Sequence, residues 1–278
     1  MKASVLILTY NEEINIRRCL ESLQGFDDVV LIDSGSTDAT LEIAAGMGAR
    51  ILPRPFDNFA NQRNFGLDEG AMVHDWVLHL DADEALTPEF RAALQALAPT
   101  DVLDGWRVPS KTMLNGKWLK HAGMYPTYQV RLGHRERLRF RQVGHGQRED
   151  CPPDRIGMFT QPYLHYNFSH GLAKWFAKHV LYAEDEAAQM AAEAGQGALV
   201  RAVFSGSATE RRRALKSLVN RLPVWLRPPL RFFQVLVLRR GVLDGRAGLQ
   251  YALMLSAYEG MIASFSLRRG YPAPDDPL

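Results

Sequence analysis

The sequence predicts an α/β protein built on a doubly wound, mainly parallel sheet. Short, continuously apolar runs recur through the N-terminal third of the chain, each passing into a segment with one apolar helical face. Each run also ends on a cluster of polar residues. Strands buried on both faces read as unbroken apolar runs, and repeated βα units build a sheet whose ligand site lies at the strand carboxyl ends.

Ser4-Val5-Leu6-Ile7-Leu8 is the first such strand. Asn11 can cap the helix that follows, with Glu12 and Glu13 placed to favour its positive end. Ile16, Cys19, Leu20 and Leu23 recur at helical spacing and give that helix its apolar face, so Cys19 reads as a buried thiol. Val29-Val30-Leu31-Ile32 is the second strand and ends on Asp33-Ser34-Gly35-Ser36-Thr37-Asp38. A helix over 39–46 and a strand at Arg50-Ile51-Leu52 come next. Residues 59–69 read as helix, and Trp76-Val77-Leu78-His79-Leu80 runs as the fourth strand into Asp81-Ala82-Asp83-Glu84. Thr87-Pro88 fits an N-cap with proline at the first helical position, and Phe90, Ala93, Leu94 and Leu97 form the next apolar face. Further on, residues 171–194 predict a long helix faced by Leu172, Trp175, Phe176, His179, Val180 and Ala183.

With 46% hydrophobic and 23% charged residues the chain can bury a sizeable core, which excludes a disordered protein. Two cysteines, Cys19 and Cys151, are too few for a disulfide scaffold or a cysteine-only zinc site. The eight histidines show neither HExxH nor paired Cys/His spacing, so core or surface positions are expected for them. The apolar run at 3–8 is too short for a signal core, and 249–267 falls short of a membrane span, so a cytoplasmic protein without an obligatory transmembrane helix is expected. The net charge of +2 conceals an asymmetry: residues 1–100 carry 7 basic and 16 acidic side chains, and residues 201–246 carry 11 and 2.

The polar clusters at 9–13, 33–38 and 81–84 each follow a predicted strand directly, so the sheet would gather them on one edge. In an extended segment Asp81 and Asp83 point to the same face. Such a pair suits a hard divalent cation that completes its shell with substrate phosphates and neutralises a departing diphosphate. No GxxxxGK[ST] motif occurs, and no GxGxxG follows the first strand, which disfavours a P-loop phosphotransferase and a dinucleotide-binding fold.

Thr9-Tyr10-Asn11-Glu12-Glu13, Val30 to Asp38, Asn61-Gln62-Arg63-Asn64 and Leu80-Asp81-Ala82-Asp83-Glu84 resemble, in order, the successive motifs of family 2 glycosyltransferases. The segments Gly116-Lys117-Trp118-Leu119-Lys120, Leu164-His165-Tyr166 and Gly241-Val242-Leu243-Asp244-Gly245 resemble its lipopolysaccharide-core, β-1,4-glucosyltransferase-like subgroup. The resemblance implies a GT-A (Rossmann-like) fold, a nucleotide-sugar donor, a Mg²⁺ or Mn²⁺ ion and transfer with inversion. It implies that Thr9, Tyr10, Glu12 and Asp33 line the base and ribose pocket and that Arg63 lies near the donor. Asp81 and Asp83 would serve ribose and metal-diphosphate. The sequence departs from the pattern at Asp33-Ser34, where many relatives carry two aspartates.

Inversion requires a base for the acceptor hydroxyl. The subgroup often reads Val-His-Glu where this chain has Val143-Gly144-His145-Gly146, so Gly146 stands in the glutamate's place. Glu149, then Asp150, then His145 are the candidates. Around them, Trp118, Tyr125 and Tyr128 with Arg107, Lys111, Lys117, Lys120 and Arg131 suit sugar faces and anionic groups. From 135 to 141 arginines alternate, as on one face of a strand. The basic stretch 201–246, interleaved with Trp225, Phe232 and Phe233, suits an interfacial segment on anionic lipid rather than nucleic acid.

The expected enzyme is therefore a metal-dependent inverting glycosyltransferase, peripheral on the cytoplasmic face of the inner membrane. Its donor would be UDP-linked and its acceptor a lipid-linked or envelope saccharide. The expected domains are 1–200, catalytic, with a nucleotide half at 1–100 and an acceptor half at 101–170, and 201–278, basic and helical. A sugar-nucleotide pyrophosphorylase and a non-catalytic glycan-binding protein are the rival readings. The first should carry a glycine-rich loop after the first strand, which 9–13 lacks.

Overall fold

The computed structural model describes residues 1–144, 146–193 and 223–268. They divide into two units, 1–118 with 124–169, and 119–123 with 170–278.

In the first unit, strands β1 (Ser4–Thr9), β2 (Val29–Asp33), β3 (Arg50–Pro53) and β4 (Trp76–Asp81) pair in parallel in the order β3-β2-β1-β4. Helices α1 (Glu13–Glu21), α2 (Thr40–Gly46) and α3 (Phe59–Glu69) connect them. Beyond β4 the sheet becomes mixed. After β5 (Glu84–Ala85) and α4 (Pro88–Ala96), β6 (Gly105–Leu114) is joined by the short β7 (Lys117–Trp118). Strand β8 (Thr127–His134) lies antiparallel between β4 and β6. Of the remaining strands, β9 (Phe140–Val143) and β10 (Gly146–Glu149) form a separate hairpin, while β11 (Ile156–Met158) and β12 (Tyr163–His165) pair parallel to β6. Among the described residues ten strands thus form one sheet, the mixed, partly parallel α/β architecture expected of a GT-A-like chain.

The alternation of strand side chains explains the unbroken apolar runs. Val5, Ile7, Leu31, Leu78 and Leu80 face α1 and α4, where Ile16, Cys19, Phe90 and Leu94 are buried against them. Leu6, Val30, Ile32 and Val77 face the opposite way, onto Ala60 and Leu67 of α3. Gly66 lets α3 approach, since a Cβ there would lie 2.6 Å from Leu6 Cδ1. Buried Asp28, just before β2, accepts from Arg50 (2.6 Å) and from the Val73 amide (2.8 Å), tying β3 and the turn after α3 to that end of the sheet. Thr87 caps α4 as expected, accepting from the Phe90 amide at 3.1 Å.

Two expectations are corrected. Asn11 does not cap α1; it takes a left-handed φ of +53° and spends its side chain on another loop. The alternating arginines do not line a strand, because β8 ends at His134 and Arg135, Arg137 and Arg139 occupy the turn before β9. There they donate to backbone carbonyls of Met72, Leu103 and Leu138. The described residues divide into their two units at 169/170, and the next helix packs within the second unit; the boundary expected at 200 lies outside the described residues.

That helix is α5 (Gly171–Glu193), followed by α6 (Arg227–Phe233), a π-helical turn (Gln234–Leu238), a 3₁₀ turn (Gly241–Asp244) and α7 (Arg246–Arg268). Ala183 and Ala187 of α5 pack on Ile262 of α7, while Val180, expected on the buried face, is exposed. Arg227 pairs with Glu259 at 2.8 Å, joining α6 to α7. Asp244 is buried and accepts from the amides of His121 (3.0 Å) and Ala122 (2.8 Å), which fastens segment 119–123 into this unit. No described helix is long and apolar enough to cross a membrane.

Candidate functional site

Strand register brings the polar clusters together. Thr9 partners Asp33 across β1 and β2, and Leu8 partners Asp81 across β1 and β4, so the three strand ends lie in one row.

Two loops at this edge are locked to each other. Asn11 donates its amide to Ser36 Oγ (2.9 Å), and its Oδ1 accepts from the Thr37 amide (2.8 Å). The first amides of α1 are capped from the second loop: Glu12 N donates to Thr40 Oγ1 (2.8 Å) and Glu13 N to Asp38 Oδ2 (3.2 Å). Glu13 Oε2 in turn accepts from the Ala39 amide at the start of α2 (3.0 Å). Thr9 Oγ1 donates to Asp33 Oδ1 at 3.2 Å. Asp33 is buried, and its Oδ2 accepts from the amides of Gly35 and Ser36, both at 2.8 Å. It therefore shapes the loop as an Asx turn. Glu12 accepts from Asn15 Nδ2 (2.6 Å), and Tyr10 projects into solvent, 58% exposed.

Four successive side chains of α3 each reach a different neighbour. Asn61 Nδ2 donates to Asp57 (2.7 Å), Gln62 Nε2 to Ser34 Oγ (2.9 Å), Arg63 to Asp81 Oδ1 (2.7 Å) and Asn64 Nδ2 to the Phe140 carbonyl (2.8 Å). A single helical segment thus braces the second loop, the end of β4 and the start of β9.

Asp81 lies at the centre of a buried charge cluster. Arg63 holds its Oδ1, and Arg131 of β8 holds its Oδ2 at 2.8 Å. Arg131 also pairs with Glu84 and reaches Tyr163 Oη at 3.3 Å, while Glu84 Oε2 accepts from the Asp81 amide at 2.9 Å. Burial opposes the charge on Asp81, but the two guanidiniums hold its carboxyl well below the usual carboxylate range. Glu84 is pushed up to about 7 by burial, with Arg131 opposing and Asp81 adding to the rise. His79 lies in the same interior, edge-on to Phe140 at 4.9 Å; burial, then Arg63 and Arg131, keep it neutral. Arg63 is 1% exposed, and its Nε and one terminal nitrogen have no protein partner.

Asp83 faces elsewhere. Residues 82 and 83 form a turn between β4 and β5, so the extended geometry that would align Asp81 with Asp83 is absent. Instead Asp83 Oδ2 lies 3.4 Å from His165 Nε2 at the end of β12. Burial opposes protonation of His165, but the hydrogen bond and charge of Asp83 prevail and raise it to about 9. The Tyr166 amide donates to the Asp83 carbonyl (2.8 Å), Arg18 of α1 stacks over the Tyr166 ring (3.7 Å), and Asn15 reaches Ser169 Oγ (2.7 Å).

Asp81 and Asp83 are therefore not brought together as a pair: both oxygens of Asp81 are engaged by arginines, and Asp83 meets His165. No group of three or more His, Cys, Asp or Glu side chains that could hold a metal occurs among the described residues. One carboxylate and one imidazole still fit a Mg²⁺ or Mn²⁺ ion whose remaining positions come from substrate diphosphate and water. Sequence pattern puts Glu84 and His165 in motif segments and Arg131 among the basic residues suited to anionic groups, but it assigns none of them to the metal or to Asp81. His165 lacks local metal-ligand spacing, and Arg131 is hidden among neighbouring arginines.

Of the base candidates, Glu149 ends the separate hairpin and Asp150 follows it directly. Glu149 of β10 is held by Arg107 of β6 at 2.9 Å, whereas Asp150 is exposed with Arg141 3.7 Å away. Neither is joined by a hydrogen bond or ion pair to Asp83 or His165 among the described residues, and His145 lies outside them. On the β6–β7 side, Trp118 packs edge-on to Tyr125 (4.9 Å), and the Lys111 ammonium lies 4.6 Å from the Trp118 ring.

The model of the family described as Glycosyl transferase family 2 matches residues 4–159, more than half of the chain. The chain belongs to that family. It is 35% identical over 119 residues to the lipopolysaccharide core biosynthesis glycosyltransferase LpsC of Rhizobium meliloti, covering 41% of this chain and 43% of the relative. It is 38% identical over 95 residues to an uncharacterized glycosyltransferase of Rickettsia typhi, covering 34% and 32%. The family 2 chain therefore spans less than half the length of these relatives. Among solved structures it is similar to glucosyl-3-phosphoglycerate synthase from Mycobacterium tuberculosis in complex with Mn²⁺, UDP and glucosyl-3-phosphoglycerate. That likeness has 19% identity and a TM-score of 0.42, covering 60% of this chain and 72% of the other.

Proposed function

We propose that this family 2 glycosyltransferase moves a sugar from a UDP-linked donor to a lipid-linked or envelope saccharide, with inversion. The observation that carries the reading is the convergence of the 9–13, 33–38 and 81–84 loops with the Asp83–His165 pair at one sheet edge. The name of LpsC, a lipopolysaccharide core enzyme, supports the acceptor class.

Thr9, Tyr10, Glu12 and Asp33 would form the nucleoside pocket, with Asp33 acting by ordering its loop. Arg63, buried and paired with Asp81, would lie near the donor and hold that carboxylate at the end of β4. Asp83 and His165 would hold a Mg²⁺ or Mn²⁺ ion, which when bound neutralises charge on the leaving diphosphate. The acceptor hydroxyl attacks the anomeric carbon as a base takes its proton; the bond from that carbon to the diphosphate oxygen breaks, and the nucleoside diphosphate leaves. Asp150 is our first assignment for the base, ahead of Glu149, whose carboxylate is committed to Arg107; His145 is third.

A panel of nucleotide sugars tested by thermal shift, with and without Mn²⁺, should give one donor that raises the midpoint only when metal is present. Asp83→Ala should abolish the metal-dependent part of the shift and lower kcat at least about a hundredfold, a loss of about 2.7 kcal/mol. No response to any nucleotide sugar, or full activity in Asp83→Ala, would overturn the reading.

A further inference from the structure

The corner between α6 and α7 carries a surface to which the proposed reaction assigns no side chain. Over residues 233–249 the fold turns Phe233, Val237, Leu238, Val242, Leu243 and Leu249 outward, and Leu238, Val242 and Leu243 are each at least 60% exposed. Val235, Gly241, Asp244 and Ala247 face inward between them and are buried. The exposure is built in. Arg239 N donates to Gln234 O, Arg240 N to Val237 O and Leu243 N to Arg240 O, all at 2.9 Å. Gly241 sits so close to Val235 that a Cβ would lie 2.6 Å from its carbonyl oxygen. Asp244 is held from inside by the amides of His121 and Ala122. An apolar group of this size, held outward by a hydrogen-bonded corner, marks an interaction surface.

Charge identifies what it fits. Residues 223–246 hold five arginines and a single acid, Asp244, which is buried. Arg227 is neutralised by Glu259, but Arg240 and Arg246 stand exposed on the corner, with Arg231 and Arg239 half-buried behind them. A second copy of the chain would bring these arginines against their own kind. Leucine and phenylalanine projecting between arginines match the boundary of an anionic bilayer, with apolar tips at the acyl chains and guanidiniums among phosphates. We propose that the corner formed by residues 233–249 docks on the surface of an anionic lipid bilayer, lying on it rather than spanning it. This goes beyond the reaction and does not depend on the identity of donor or acceptor.

The test is co-sedimentation of the full chain with phosphatidylcholine vesicles, with and without phosphatidylglycerol, at low and high salt. Binding should require phosphatidylglycerol and weaken with salt. The double variant Leu238→Ser/Leu243→Ser should lower the partition coefficient at least about tenfold. Arg240→Gln should lower it about fivefold, as expected for taking one basic side chain off an anionic surface. Circular dichroism should match the unaltered protein in both. Absence of binding to anionic vesicles overturns the proposal, as does equal binding by both variants. A concentration-dependent dimer that the leucine variant dissociates would also overturn it, by assigning the corner to a second copy.

Discussion

Arg131 is the residue on which the buried charge cluster turns. Among the described residues it pairs with both Asp81 and Glu84, so removing it leaves the fully buried Glu84 carboxylate beside the part-exposed Asp81 with no cation between them. Arg131→Met keeps much of the volume but not the charge and should cost about 3–5 kcal/mol in urea unfolding. Arg63 pairs with Asp81 only, and that bond does not compensate Glu84. Sequence pattern exposes these residues unequally. Asp81, Asp83 and Arg63 stand in motifs beside strand ends and helix starts, where local pattern is informative. Arg131 and His165 enter the site through strands paired across long sequence distances, and residue spacing does not encode such pairings. The turn at 82–83 also reverses a local inference, because side-chain alternation holds only while the chain is extended.

At the scale of elements, the parallel strands and their helices are legible because burial on two faces leaves an apolar run and burial on one leaves a stripe. Strand β1 is expected at 4–8 and forms at Ser4–Thr9; α3 is expected at 59–69 and forms at Phe59–Glu69. The hairpin β9–β10 is not legible, since its residues are mostly polar and partly exposed. The amino end of the sheet carries its own polar anchor in Asp28. Burial opposes its charge, but the Ser4 hydroxyl, the Val73 amide and the Arg50 guanidinium outweigh burial and hold its carboxyl below the usual range. A depressed carboxylate contributes stability above its unfolded pKa of about 4 and loses it as pH falls through the folded value. Asp28→Asn should therefore destabilise by about 1.5–3 kcal/mol at neutral pH and differ progressively less from the unaltered protein below about pH 4. Urea titrations across that range measure both.

For the whole molecule, charge distribution is more informative than net charge. The acidic N-terminal third forms the α/β unit with the candidate donor site, and the described part of the basic stretch, 223–246, lies in the helical second unit. The other part, 201–222, lies outside the described residues. Helix 171–193 follows the last strand closely, and its packing against α7, which local pattern does not encode, groups it with the second unit. The attachment of segment 119–123 has no local sequence signal, since it is made by a buried carboxylate more than a hundred residues later. Asp244→Ala leaves the buried Ala122 amide and the part-buried His121 amide without that acceptor and should cost about 3 kcal/mol, taking roughly 1.5 for each charge-assisted bond. Thermal unfolding with and without the substitution checks it.

Asn11, with its left-handed backbone and its bonds to Ser36 and Thr37, makes the first two loops a single cassette. Exchanging only residues 9–13 with those of a relative would strand the partners of 36–40, however well the new loop suited another nucleotide. Grafting both loops together keeps the interlock, so the two are exchangeable only as a pair.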